Sequence, residues 1–248
     1  MISLRSDLKI LYHLALRPTR GQSHAQRMED FYQGQAEDYD RFRERLLRGR
    51  EELIRSMSMP EDGVWVDLGG GTGANLQWLG DRIHKLRRVY IVDLSTSLLE
   101  VARQRAQARG WHNVETVRDD AKTFRPAERE ADVVTFSYAL TMIPDWYAAV
   151  ANAEAILKPG GTIGVVDFYV SRKHPVAGMA RHGWLTRAFW PLWFGIDNVF
   201  LSPDHLPLLQ HRFETIALRE ERARIPYVPL GRVPYYTFLG RRLAGRGM

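Results

Sequence analysis

The sequence contains no cysteine, which excludes disulfide bonds, thiolate zinc sites and cysteine nucleophiles. It has no run of about 18 consecutive apolar residues, so we expect no membrane-spanning segment. Its first residues, Met1 to Asp7, lack the apolar run of a signal peptide. These absences predict a cytoplasmic location, with any membrane contact made peripherally at the inner face.

What is present is typical of a globular protein. The chain has 248 residues, of which 45% are hydrophobic and 26% charged, and we expect one main domain with added segments. The formal net charge is +6, and part of the basic excess lies in an arginine-rich stretch at 41–50. This excess favours an anionic partner, either a nucleic acid or an anionic membrane surface.

From residue 63 onward, strand-like and helix-like segments alternate, as in a parallel sheet covered by helices on both faces. Near the end of the chain, two strand-like segments follow each other without a helix, which predicts an antiparallel hairpin that closes the sheet. The predicted strands are 63–68, 88–93, 113–118, 131–137, 162–170, 214–220 and 233–240, and the predicted helices are 73–83, 95–109 and 145–157. A helix in the 120s has weaker support from the pattern.

Two helical segments precede the first strand. The apolar residues of 2–16 follow one helical face and end before Pro18, which predicts an amphipathic helix that either docks on the domain or lies on a membrane surface. Residues 28–57 form a second helical region placed like a cap. We therefore divide the chain into an N-terminal cap, 1–60, and a main domain, 61–248.

An insertion at 171–212 interrupts the main domain before the hairpin. It is rich in aromatic residues and carries several basic ones. Tryptophan and arginine suit the headgroup region of a bilayer, although the same aromatic residues are equally suited to a small internal core. One of Arg172, Arg181 and Arg187 is a candidate for binding a carboxylate.

The segment from Val64 to Gly73, VWVDLGGGTG, is a buried strand that runs into a glycine-rich turn. Gly69, Gly71 and Gly73 allow the backbone to approach a ligand closely and to adopt angles closed to other residues. The same glycines also fit a looser dinucleotide-binding pattern or a tight connection between a strand and a helix. The turn alone therefore predicts a nucleotide-like ligand without identifying it.

Acidic residues follow the next two strands. Asp93 ends the second strand, where an open α/β sheet presents a carboxylate to ribose hydroxyls. Asp119 and Asp120 follow the third strand and suit an adenine amino group. Each of these aspartates has an alternative role as a cap for the segment that follows it.

The fourth strand ends in an apolar loop with polar residues at its tip, FSYALTMIPD at 136–145. Because ligands lie at the carboxyl ends of such strands, we expect this loop to form one wall of the reactive pocket.

Taken together, these motifs resemble the class I S-adenosylmethionine methyltransferases. The resemblance rests on Asp67 to Gly73, Asp93, Asp120–Ala121, the Ser137 to Ile143 loop, Leu157 to Gly161 and the terminal hairpin. It implies a Rossmann-like α/β fold with sheet order 3-2-1-4-5-7-6, S-adenosylmethionine as cofactor, S-adenosylhomocysteine as product, and no metal. Asp67 would orient the glycine turn or reach the cofactor's amino group. The predicted cofactor-binding residues are Asp67, Gly69, Gly71, Gly73, Asp93, Leu94, Asp119, Asp120, Ala121 and Ser137.

A narrower resemblance lies outside this core. Residues 24–43 and 190–198 are similar to the N-methyltransferases of betaine-lipid synthesis. The resemblance implies threefold methylation of the amine of diacylglyceryl-homoserine to diacylglyceryl-trimethylhomoserine. Alternative acceptors are phosphatidylethanolamine, a quinone precursor or a small amine. An RNA methyltransferase or RNA-binding module is a further alternative, but no RNA-binding appendage is recognisable, so we expect no nucleic-acid partner. Nothing in the sequence indicates an oligomeric state.

An acceptor amine must lose its proton before it attacks a methyl group, so the site needs a residue that can accept that proton. The candidates for catalysis are Tyr32, Tyr39, Tyr138 and Asp167, with His174 as a weaker one. Tyrosine rings can also stabilise a methylated ammonium. The alternatives are helix packing for the tyrosines, a turn at a strand end for Asp167, and a solvated loop for His174.

Overall fold

A computed structural model of the protein describes residues 46–196, 198–224 and 231–243. Seven strands form one sheet in the order β3-β2-β1-β4-β5-β7-β6, which confirms the predicted topology. The strands are β1 (Val64–Leu68), β2 (Arg88–Asp93), β3 (Val114–Arg118), β4 (Ala131–Ser137), β5 (Leu157–Phe168), β6 (Phe213–Arg224) and β7 (Arg232–Arg242).

Strand β1 lies in the middle of the parallel part of the sheet, between β2 and β4. All five of its residues are buried, as expected for a parallel strand covered on both faces. The carboxyl ends of β1 to β4 consequently meet along one edge. Strand β7 is antiparallel to both β5 and β6, so the end of the chain forms the predicted hairpin.

Helices connect or flank these strands. They are α1 (Arg50–Ser56), a 3₁₀ segment (Ala74–Lys85), α2 (Thr96–Ala108), α3 (Trp146–Ile156), α4 (Trp184–Gly195) and α5 (His205–Arg212). Two of them begin at side-chain caps: Ser95 Oγ accepts from Leu98 N–H (3.3 Å) and Asp145 Oδ1 from Ala148 N–H (3.2 Å). Among the described residues, none of the helices combines the length and apolar character needed to cross a bilayer.

Three local predictions differ from the structure. The helix predicted at 73–83 is a 3₁₀ segment with a kink at Gly80, whose φ of 56° and ψ of −138° are not helical. The 120s form a turn on the Asp120 carbonyl, which accepts from Thr123 N–H and Phe124 N–H, each at 2.9 Å. Strand β5 begins at Leu157, five residues earlier than predicted, because Leu157 already pairs with Ala131.

Two apolar clusters cover the two faces of the sheet. One joins α1, the 3₁₀ segment and α2 to Trp190 and Phe194 of α4. The other joins α3 to Leu206 and Leu209 of α5. The insertion at 171–212 therefore contributes a helix to each face. Within the N-terminal cap the structure describes residues 46–60, and the predicted helix at 2–16 lies outside the described residues.

Candidate functional site

The glycine turn between β1 and the 3₁₀ segment is tightly bound to β2. Gly69 N–H and Gly70 N–H both donate to the Val92 carbonyl, at 2.8 and 3.1 Å. Gly69, Gly71 and Gly73 have positive φ angles of 70°, 55° and 64°. A Cβ atom at Gly69 would lie 2.6 Å from Ala139 Cβ. The turn thus needs glycine both for its backbone angles and for its contact with the loop after β4.

Asp93 lies at the end of β2, directly beside this turn. Its Oδ2 accepts from Gly71 N–H (3.0 Å) and its Oδ1 from Ser95 N–H (2.9 Å). The side chain is partly exposed. A partly exposed carboxylate at the end of such a strand is the type of group that accepts hydrogen bonds from ribose hydroxyls.

Asp67 is fully buried under the turn. Its Oδ1 accepts from Thr135 Oγ1 (2.6 Å) and its Oδ2 from Asn75 Nδ2 (3.0 Å). Trp65 Nε1 in turn donates to Thr135 Oγ1 (2.8 Å). Burial raises the pKa of Asp67 to about 6, against the lowering effect of these hydrogen bonds. Asp67 thus links β1 to β4 and to the start of the 3₁₀ segment, and its two predicted roles remain predictions.

The end of β3 adds further acidic groups to the same edge. Asp119 Oδ1 accepts from Asp120 N–H (2.7 Å), and Asp120 Oδ1 accepts from Lys122 N–H (2.9 Å). Both aspartates are partly exposed, as is Leu94, whereas Ala121 is buried. Asp120 also faces Lys122 Nζ at 3.4 Å. The predicted adenine-binding residues therefore adjoin the predicted ribose-binding residue across β2 and β3.

The loop after β4 lies against the glycine turn, where Ala139 approaches Gly69, and its part in a reactive pocket remains a prediction. Ser137 Oγ lies 3.5 Å from Asn75 Oδ1, next to the Asp67 network. Tyr138 has a positive φ of 54°, and its N–H donates to the Val166 carbonyl at 2.7 Å. Its hydroxyl donates to the Arg48 carbonyl (2.7 Å), and burial raises the pKa of this phenol well above 10. In this conformation Tyr138 ties the loop to the chain before α1, and its role as a proton acceptor remains a prediction.

Asp167 lies at the end of β5 and is fully buried. It accepts hydrogen bonds from Thr141 Oγ1 (2.7 Å), Thr141 N–H (3.1 Å) and Phe168 N–H (2.8 Å). Burial raises its pKa to about 7 despite these donors. Asp167 thus fastens the loop after β4 to β5, and its predicted part in catalysis is not tested by this contact.

The candidate basic side chains of the insertion differ in their exposure and in their partners. Arg172 pairs with Asp204 (2.7 Å), whereas Arg181 is exposed and Arg187 is half-buried. Arg187 Nε is buried and has no hydrogen-bond partner among the described residues. His174 is exposed, in agreement with its solvated alternative. Arg187 is therefore better placed than Arg172 to accept an anionic group from a ligand.

Sequence reasoning missed three polar residues that hold the site together: Asn75, Thr135 and Thr141. Asn75 and Thr135 both donate to Asp67, and Thr141 donates to Asp167. The available signal was a polar residue among apolar neighbours, as for Thr135 within β4. Tyr32 and Tyr39 lie outside the described residues.

The residues present fit the predicted cofactor. Gly69, Gly71 and Gly73 have positive φ angles, the partly exposed Asp93 lies beside their turn, and the acidic turn after β3 adjoins Asp93. No group of three or more His, Asp or Glu side chains suited to a metal ion occurs in the described part of the chain.

The comparison with protein families agrees with this geometry. Residues 66–161 match the family described as "Methyltransferase domain". This stretch includes the glycine turn, the acidic residues and the loop after β4. The chain therefore has the α/β methyltransferase fold, and residues 66–161 are similar to the methyltransferase domain family.

Two curated relatives are similar to this chain in sequence. Demethylmenaquinone methyltransferase of Geobacillus stearothermophilus is 27% identical over 145 residues, which are 56% of this chain and 62% of that protein. The ubiquinone/menaquinone biosynthesis C-methyltransferase UbiE of Pseudomonas savastanoi is 25% identical over 169 residues, 66% of each chain. The chain thus spans just under two thirds of these relatives' lengths.

Solved structures share the fold. The YcgJ protein of Bacillus subtilis superposes with a TM-score of 0.62 at 16% identity, covering 79% of this chain and 98% of that one. Haemonchus contortus phosphoethanolamine N-methyltransferase 2, in complex with phosphomonomethylethanolamine and S-adenosylhomocysteine, gives 0.61 at 16% identity, covering 79% and 53%. At these identities the likeness concerns the fold alone.

Proposed function

We propose that the protein transfers a methyl group from S-adenosylmethionine to an acceptor carried by a lipid. The observation that carries the proposal is the arrangement at the sheet edge, where the partly exposed Asp93 accepts a hydrogen bond from Gly71 N–H at 3.0 Å beside the glycine turn. This arrangement suits a ligand with vicinal hydroxyls bound against a glycine turn.

The cofactor, when bound, supplies a methyl group on a sulfonium that needs neither a metal nor a covalent enzyme intermediate to react. The protein must then hold the two reactants in line, and such positioning alone can remove a large part of the barrier. The glycine turn and the loop after β4 are suited to this task, because each is fastened by a buried carboxylate, Asp67 or Asp167.

Calorimetric titration with S-adenosylhomocysteine tests the cofactor. We expect Asp93→Asn to weaken binding by about tenfold or more, because one charged acceptor of a hydroxyl pair is lost. Asp62→Ala is the matched control, since it removes an exposed carboxylate that precedes β1, at the opposite edge of the sheet. Wild-type protein without measurable affinity, or equal affinity for wild type and Asp93→Asn, would contradict the proposal.

For the acceptor we propose a quinone precursor as the first candidate. The curated relatives support it, because their names assign them demethylmenaquinone or ubiquinone/menaquinone biosynthesis. The loop after β4 is packed on buried aromatic rings, with Tyr138 and Phe168 in an edge-to-face contact at 4.6 Å. Aromatic rings next to the site are compatible with a flat apolar acceptor.

The second candidate is the amine of diacylglyceryl-homoserine. It is supported by the resemblance of residues 24–43 and 190–198 to betaine-lipid N-methyltransferases. The second of these segments contacts the same aromatic rings, because Phe194 packs on Phe168 with 4.9 Å between ring centroids. Aromatic faces also suit a methylated ammonium.

One assay separates the two acceptors. Purified protein is incubated with isotopically labelled S-adenosylmethionine and vesicles that contain demethylmenaquinone, diacylglyceryl-homoserine or phosphatidylethanolamine, and the products are resolved by mass. Methylation of demethylmenaquinone alone supports the first candidate, whereas up to three methyl groups on the homoserine lipid support the second. If none of the three lipids gains a methyl group, a lipid acceptor is wrong.

A further inference from the structure

Helix α4 exposes an unusual amount of apolar surface. Of the described residues, most of the large hydrophobic side chains that are exposed lie between 176 and 200. They are Val176, Trp184, Leu185, Phe189, Leu192, Trp193, Ile196 and Phe200. A concentrated apolar surface of this kind marks an interaction site more often than scattered exposed residues do.

The exposed residues of α4 share one side of the helix. At 3.6 residues per turn, those from Trp184 to Trp193 span an arc of about 180°. Trp190 and Phe194 lie on the other side and are buried against the domain. The helix is thus apolar on both its inner and its outer side, which is unexpected for a helix that faces water. We call the exposed arc, from Trp184 to Ile196, the outer face of α4.

The charged residues of α4 and of the segment that leads into it are all basic, although Asp197 follows Ile196 directly and Arg172 pairs with Asp204. Residues 171–196 contain Arg172, Lys173, Arg181 and Arg187 and no acidic residue. Lys173 and Arg181 are exposed, and both precede the helix. An apolar helical face with tryptophans and basic flanking residues is complementary to an anionic bilayer, in which the apolar arc lies below the headgroups and the cations lie among them.

The inner side of α4 is connected to the loop after β4 by packed aromatic rings. Phe194 packs on Phe168, which packs on Tyr138 directly after Ser137. Just beyond α4, Phe200 N–H donates to the Thr141 carbonyl (2.8 Å), which fastens the insertion to the loop after β4. A membrane bound by the outer face therefore lies on the opposite side of α4 from Phe168, Tyr138 and the loop after β4.

We propose that α4 is an interfacial helix that seats the protein on an anionic bilayer and presents a lipid-borne acceptor to the loop after β4. The identity of the acceptor in this proposal rests on the proposed function. Binding of α4 to the bilayer does not require bound cofactor.

Vesicle sedimentation tests whether the outer face of α4 binds the protein to an anionic bilayer. The full chain is mixed with vesicles of phosphatidylcholine and phosphatidylglycerol, and with vesicles of phosphatidylcholine alone. The test variant is Trp184→Ser with Leu192→Ser, at side chains that are 71% and 76% exposed. The control variant is Tyr147→Ser with Ile216→Ser, which removes an aromatic and an aliphatic side chain that are 48% and 45% exposed elsewhere.

We expect wild type and control to bind the anionic vesicles more strongly than the neutral ones, and the test variant to lose about tenfold or more in partitioning. Equal losses in both variants, or no vesicle binding by wild type, would overturn the proposal. A wild-type dimer that the test variant converts to monomers, with no vesicle binding, would instead identify the outer face as a contact between copies. Unchanged affinity of the test variant for S-adenosylhomocysteine shows that the site is intact, so failure of the seating and failure of the proposed function give different results.

Discussion

At the scale of single residues, the site depends on two buried carboxylates that have raised pKa values. Asp67 and Asp167 are both fully buried, with pKa values near 6 and 7. Asp67 accepts a hydrogen bond from Asn75, just after the glycine turn, and Asp167 accepts one from Thr141, in the loop after β4. Burying a charged carboxylate costs free energy, and these hydrogen bonds offset part of that cost while they hold the two segments in place.

The raised pKa of Asp167 predicts how the free energy of unfolding depends on pH. The folded pKa of Asp167 lies above its unfolded value of 3.8, so between about pH 4 and 7 the folded state binds more protons than the unfolded state. The free energy of unfolding therefore receives a contribution that falls as pH rises through this window and is constant above it. Asp167→Asn removes the titration and makes the pH dependence shallower, as measured by urea unfolding from pH 4.5 to 7.5.

Asp81→Asn, at an exposed aspartate, is the control for this measurement. The quantity compared is the slope with pH, because loss of a hydrogen-bond acceptor also lowers the stability of Asp167→Asn at every pH. An unchanged slope in Asp167→Asn would show that Asp167 does not titrate in this window.

At the scale of elements, the glycine turn makes a close contact that a methyl group would disrupt. We expect Gly69→Ala to destabilise the protein by about 3 kcal/mol, through a disfavoured backbone angle and overpacking against Ala139. Gly110→Ala is the matched control, since Gly110 has a similar φ of 66° with open space around its Cβ position. We expect Gly110→Ala to lower the free energy of unfolding by about 1–2 kcal/mol.

Chemical denaturation of the two variants measures the difference. If Gly69→Ala and Gly110→Ala lose the same free energy of unfolding, the contact between the turn and Ala139 contributes nothing beyond the backbone angle.

Much of the element order was predictable from the sequence. The sheet order and the hairpin followed from the alternation of segments together with the family resemblance, and Asp93 could be placed because it ends a strand. The pairing of Thr135 with Asp67 could not be predicted, because it joins side chains 68 residues apart. The 3₁₀ segment was mistaken for a regular helix, since its kink depends on the backbone of Gly80. Helices α4 and α5 lie within what the sequence showed only as an aromatic insertion.

At the scale of the whole molecule, burial is greatest at the centre of the sheet. Strand β1 is completely buried and β4 nearly so, whereas most residues of β6 are exposed. Native-state hydrogen exchange should therefore be slowest for amides of β1 and β4 and faster for those of β6. Mass spectrometry of exchanged peptides measures this, and equal protection of β1 and β6 would instead indicate that the sheet opens as one cooperative unit.

The strands at the two borders of the sheet, β3 and β6, have a further consequence for association. Strand β3 carries Glu115 and Arg118, and β6 carries five charged residues of both signs between Arg219 and Arg224. Charged border strands resist the addition of another strand, because the added chain would have to desolvate or repel those groups. Growth of this sheet into fibrils or strand-exchanged dimers is thereby disfavoured at both ends.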